Sequence, residues 1–149
     1  MAVDHYQVPP SVPIADMPQA LAYRVEAGQR SYVYSGDTGP SEGLVRLAQG
    51  ADYLFAEVVD LVGIADRIAR TLPHAPATIR SNVVAGMERN HLTPQAIGKI
   101  AAEAGVKCVV LTHFVPIPEQ LKSPRELVSG VREHFKGRVV MARDLDSFA

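Results

Sequence analysis

At 149 residues, 47% hydrophobic and 21% charged, the chain has the size and composition of one globular domain, which excludes a disordered tail, a collagen-like repeat and a coiled-coil rod. Fifteen lysines and arginines face sixteen aspartates and glutamates, unevenly placed: residues 1–60 hold three basic and eight acidic groups, residues 61–149 twelve and eight. Lys and Arg form no block and Trp is absent, which argues against a dedicated nucleic-acid face, and no apolar run reaches the roughly 18 residues of a spanning helix.

Met1 leads into Ala-Val-Asp-His, without a basic flank and apolar core, so no export signal is read there and the cytoplasm is the default compartment. Pro9, Pro10, Pro13 and Pro18 remove backbone donors, and residues 1–18 read as an extended Pro-rich opening loop. Ala20–Glu26 and Ser31–Ser35 are β-rich and flank a glycine-containing connection, the pattern of a hairpin. Ser35-Gly36-Asp37-Thr38-Gly39-Pro40 stops the second strand, and Ser41 is placed to N-cap a short helix that ends near Gly50.

Asp52–Val59 reads as a buried strand, and Leu61, Ile64, Ala65, Ile68 and Leu72 repeat at helical spacing until Pro73. A less cleanly patterned helix is expected over Ala77–Arg89. Thr93 and Pro94 have the N-cap and first-turn identities of a further helix, which Gly105 closes. The continuous apolar run within Lys107–Thr112 predicts a strand buried on both faces, with the single cysteine, Cys108, as a small buried hydrophobe. Ser123-Pro124-Arg125-Glu126 has capping-box spacing at the start of a helix with Leu127, Val128, Val131 and Phe135 inward, and Arg138–Ala142 reads as a last strand. Strands alternating with helices predict one α/β domain over residues 1–149, with a mixed sheet covered by helices.

Three polar groups fall at strand ends or helix starts, where open α/β sheets assemble sites. Asp37 follows a glycine at a strand end, where it is either a projecting carboxylate or a turn aspartate capping the next helix. His113 ends an apolar strand, as a metal ligand or acid/base group or as a hydrogen-bonded structural histidine. His91 lies two residues before a helix N-cap, where it either assists an anion site or is a plain pre-helix polar residue. His74 and His134 read as solvent-facing.

The ordered set Ser35-Gly36-Asp37-Thr38, His91-Leu92-Thr93-Pro94 and Leu111-Thr112-His113-Phe114 resembles the metallo-β-lactamase superfamily of metal-dependent hydrolases, in the branch that includes ribonuclease Z and arylsulfatase-like enzymes. The resemblance implies half of an αββα sandwich, the C-terminal half, over residues 1–149. It further implies His5, Asp37 and His113 as metal ligands, with Asp37 bridging two ions, and His91 as the residue that assists proton transfer to the leaving group. Zinc, two ions per complete site, or manganese is the implied cofactor.

The superfamily's His-x-His-x-Asp-His ligand loop does not occur in this sequence, and Ala56 stands just before Glu57 where relatives often have a histidine. No long insertion separates His5 from Asp37, which argues against ribonuclease Z proper. The resemblance therefore implies hydrolysis of an ester-type bond, carboxylic, sulfuric or phosphoric, on a small-molecule substrate. It also implies weak or absent metal binding by this chain alone, and a sheet face left open for a missing N-terminal half or a second copy. The alternative is a catalytically incomplete module that acts only through association.

Overall fold

A two-residue Gly28-Gln29 turn joins β1 (Tyr23–Ala27) to β2 (Arg30–Tyr34), and Gly28 takes the left-handed φ of +62° that such a turn requires. The computed structural model describes residues 20–121 and 123–148, so the expectations for residues 1–18 and His5 lie outside the described residues. After the hairpin, helical stretches and strands alternate up to a last strand: α1 (Glu42–Ala48), β3 (Tyr53–Val59), α2 (Leu61–Thr71), α3 (Ala77–Asn90), α4 (Pro94–Ala104), β4 (Cys108–Val115), α5 (Pro124–Arg132) and β5 (Arg138–Met141). Among the described residues five strands form one sheet in the order of the sequence. β1 and β2 are antiparallel, and every later pair is parallel.

The caps explain where the helices begin. Ser41 Oγ accepts from the Gly43 N–H, Asp60 Oδ1 from the Gly63 N–H, and Thr93 Oγ1 from the Ala96 N–H ahead of α4, whose first residue is Pro94. Gly105 ends α4 at φ +67°. At α5 the capping box does not form: Ser123 makes no side-chain cap, and its carbonyl accepts from the Glu126 N–H instead. Pro124 at the first helical position removes one of the donors such a cap would serve.

The main core lies on one face of the sheet. Leu44, Leu47, Ile97, Ala101, Leu127 and Val131 from α1, α4 and α5 pack against Val33, Leu54, Ala56, Val58, Val109 and Leu111. α4 and α5 approach so closely that a Cβ on Gly98 would strike the Val131 carbonyl. The opposite face carries a smaller cluster of Tyr53, Cys108 and Val110, edged by Tyr32, Phe55 and Val140, and no helix among the described residues contributes to it. Tyr32 stacks on Tyr53 and Tyr34 on Phe55, while Phe148, from beyond β5, meets Phe55 edge-on. This is a helix-covered layer of the α/β sandwich the resemblance implied. No helix among the described residues is long and apolar enough to cross a membrane.

Just before β3, Asp52 accepts from the Ser31 N–H at 2.8 Å and from Lys107 Nζ at 2.7 Å. The Lys107 hydrogen bond, helped by that of Ser31, lowers the Asp52 pKa from 3.8 to about 2. A depressed carboxylate contributes stability that is full above its unfolded value and is lost as the pH falls through its folded one. Urea denaturation of wild type and Asp52→Asn should therefore differ most above about pH 4 and converge toward pH 2. A gap that stays constant across that window would remove Asp52 as its source.

Candidate active site

The site forms where β2, β3 and β4 end. The Ser35 N–H continues the β2–β3 pairing to the Phe55 carbonyl, and Gly36 then turns at φ +62°, where a Cβ would meet the Leu21 carbonyl at 2.5 Å. The turn delivers Asp37 half-exposed and buries Thr38. Ser41, not Asp37, caps α1, so the turn-cap reading of Asp37 is not the one the fold adopts.

On β3, Glu57 is only 2% exposed although it is a carboxylate inside an apolar strand. Such groups are buried only when partnered. Glu57 Oε1 accepts from the Thr38 N–H at 2.7 Å, Oε2 lies 2.7 Å from His91 Nδ1, and the Glu57 N–H donates to Ser35 Oγ at 3.1 Å. His91 follows the last residue of α3, and its backbone N–H bonds back to the Met87 carbonyl, so the helix end aims the imidazole at the strand. The hydrogen bond to Glu57 raises the His91 pKa above the usual 6.5, against the effect of burial, and the charges of Glu57 and Asp37 add to the rise.

His113 lies within β4 rather than at its end. The β3–β4 register steps from Glu57–Thr112 to Val58–Phe114, so His113 is the extra residue of a β-bulge, at φ +42°. The bulge turns the imidazole outward, 58% exposed, with Nδ1 3.4 Å from Asp37 Oδ1. Left-handed backbone in a non-glycine residue is strained, and strain of this kind concentrates at functional sites.

The fold thus gathers Asp37, His91 and His113 around Glu57, and ligand atoms of Asp37, Glu57 and His113 fall within 4.8 Å of one another. Glu57 is the residue the sequence reading left without a role; the signal for it was a lone carboxylate among the apolar residues of Tyr53–Val59. The donor chemistry fits a divalent cation at Asp37 and His113. They face one another beyond good N–H···O distance, they have no other hydrogen-bond partner among the described residues, and they pair a carboxylate with an imidazole. Glu57 is already committed to Thr38 and His91. His74 and His134 are exposed and take no part.

No family model matches the chain. Among curated proteins it is 32% identical over 127 residues to the ribonuclease Z of Haloarcula marismortui, a match covering 85% of this chain and 34% of that protein. It is 30% identical over 146 residues to a putative ribonuclease Z of Mycobacterium tuberculosis, covering 95% of this chain and 54% of the relative. The crystal structure of the metallo-β-lactamase fold protein YhfI from Bacillus subtilis superposes with a TM-score of 0.62 at 20% identity, over 96% of this chain and 45% of that one. The chain belongs to the metallo-β-lactamase superfamily.

It spans about a third to a half of the length of the curated relatives it matches. Two expectations change with these metallo-β-lactamase relatives. The argument against ribonuclease Z from the missing insertion is overturned, because ribonuclease Z is the name the curated relatives carry. The expectation of a small-molecule ester substrate without a nucleic-acid face falls with it, since those relatives are named for action on RNA. The physical reason is that a site for a phosphate backbone needs no consecutive Lys/Arg block. Residues far apart in sequence, as Asp37, His91 and His113 are, meet only in the fold.

Proposed function

We propose that this chain supplies one part, the C-terminal half, of a metal-dependent ribonuclease site, with Asp37 and His113, and His5 from outside the described residues, as metal ligands. The observation that carries the reading is the Glu57–His91 pair set beside Asp37 and His113 in a chain about 30% identical to ribonuclease Z proteins. A zinc or manganese ion, when bound, supplies Lewis acidity and lowers the pKa of water. Asp37 orients its carboxylate outward because Gly36 turns the backbone and Thr38 anchors the following peptide on Glu57.

His91 holds the proton. In the protonated imidazole Nδ1–H donates to Glu57, which orients the ring, and the second proton, on Nε2, passes to the leaving oxygen of a phosphodiester, leaving the neutral ring on Glu57. The hydrogen bond to Glu57 favours the protonated imidazole and raises its pKa above 6.5. A second reading, a catalytically incomplete module, is favoured by the ligand count. Among the described residues Asp37 and His113 are two ligands, where a catalytic zinc takes three from protein.

The test is a chimera in which this chain replaces the segment it matches in the Haloarcula marismortui ribonuclease Z. The expected result is cleavage of an RNA oligonucleotide in the presence of zinc or manganese that EDTA stops. A folded, metal-loaded chimera that leaves RNA intact would overturn the ribonuclease reading and leave the incomplete module.

A further inference from the structure

On the helix-covered side, α1, α4, the end of α3 and the starts of α2 and α5 enclose a groove of about 870 Å³ to which Asp37, Glu57, His91 and His113 contribute nothing. Its floor is apolar, from Val45, Ile100 and Leu127, and Val62 stands 62% exposed at its side. Its rim is acidic. Glu42, Glu88, Glu103 and Glu126 come from four different helices, and Lys99 is the one cation among the lining residues.

These charges are not used up within the described part of the chain. Glu88, Glu103 and Glu126 form no ion pair or side-chain hydrogen bond with any described residue, and Glu42 makes only an exposed contact of 3.4 Å with Arg46. Carboxylates gathered from four helices around an apolar floor repel one another when no cation lies between them. Together they set the chemistry of what fits: an apolar face to cover the floor, flanked by positive charge to meet the rim.

We infer that this groove is a docking site for a cationic, amphipathic peptide segment of a partner protein. The charge pattern selects against the other occupants at hand. RNA phosphates meet four carboxylates there. The residues 1–19 of this chain carry Asp4 and Asp16 and no lysine or arginine. The groove's wall includes Pro40, Asp60 and Thr93, each within three residues of Asp37, Glu57 or His91, so an occupant would rest on the same backbone segments that carry the site.

The experiment uses the full chain and two fluorescein-labelled peptides of equal length, with leucines at helical spacing and either lysines or glutamates at the remaining positions, followed by fluorescence anisotropy. The lysine peptide should bind saturably and weaken as salt is raised, and the glutamate peptide should not bind. Glu103→Lys combined with Glu88→Lys should weaken the lysine peptide by roughly tenfold, two exposed charge reversals being of that order, while Asp144→Lys, away from the groove, should leave it unchanged. Circular dichroism would show that the variants fold, and Val62→Asp provides a second lesion on the apolar side. The inference is overturned if the double variant and Asp144→Lys weaken binding equally, if Val62→Asp binds as wild type, or if an RNA oligonucleotide displaces the peptide from the groove.

Discussion

Asp37→Ala, introduced into the ribonuclease Z chimera, is expected to lower RNA cleavage well beyond the roughly 10–100-fold that loss of a residue merely supporting a metal ligand costs. Bound zinc per chain, read by elemental analysis, should fall with it. The reasoning rests on the local backbone. Asp37 is held out by the Gly36 turn and shares no hydrogen bond with Ser35 or Thr38, so its removal leaves the turn intact and takes away only the carboxylate that faces His113. Activity within tenfold of the parent chimera would dismiss Asp37 as a ligand.

His91→Ala should lower turnover by about 10²–10⁴-fold, the usual contribution of a placed general acid. The more telling variant is Glu57→Gln. The glutamine can still accept from the Thr38 N–H, so the buried peptide stays satisfied, but the negative charge that holds the His91 proton is gone. The histidine titration, followed by NMR, should move to lower pH, and the alkaline limb of the rate profile should move with it. The linked effect on folding has a definite sign. Because the folded pKa of His91 lies above 6.5, its pairing stabilises the fold fully below pH 6.5 and is lost as the pH rises through the folded value. An unshifted titration in Glu57→Gln would assign the raised pKa to something other than this pair.

Local rules carried most of the fold. Apolar runs placed β3 and β4, caps placed α1 and α4, and the glycine connection placed the first hairpin, because each of these depends on neighbours in sequence. The site was legible only as far as its residue types. Asp37, His91 and His113 could be singled out by their positions at element ends, but Glu57 stood inside a strand, where its partners Thr38 and His91 lie 19 and 34 residues away. His113 looked like a strand-end residue because a β-bulge depends on the register of the neighbouring strand, which the sequence of β4 alone does not contain. The groove rimmed by glutamates was hidden for the same reason. Its carboxylates come from four helices, and each alone is an ordinary solvated charge.

The aromatic rows on the helix-free face of the sheet also make the protein its own optical probe. The chain has no tryptophan, and four of its five tyrosines, Tyr23, Tyr32, Tyr34 and Tyr53, lie on β1, β2 and β3, with Tyr23 paired to Tyr34 and Tyr32 to Tyr53 across the strands. Near-ultraviolet emission and dichroism from the protein therefore arise largely from one surface, and from rings already close enough to exchange excitation. Whatever covers that surface dehydrates those rings and announces itself in the tyrosine spectrum without a label.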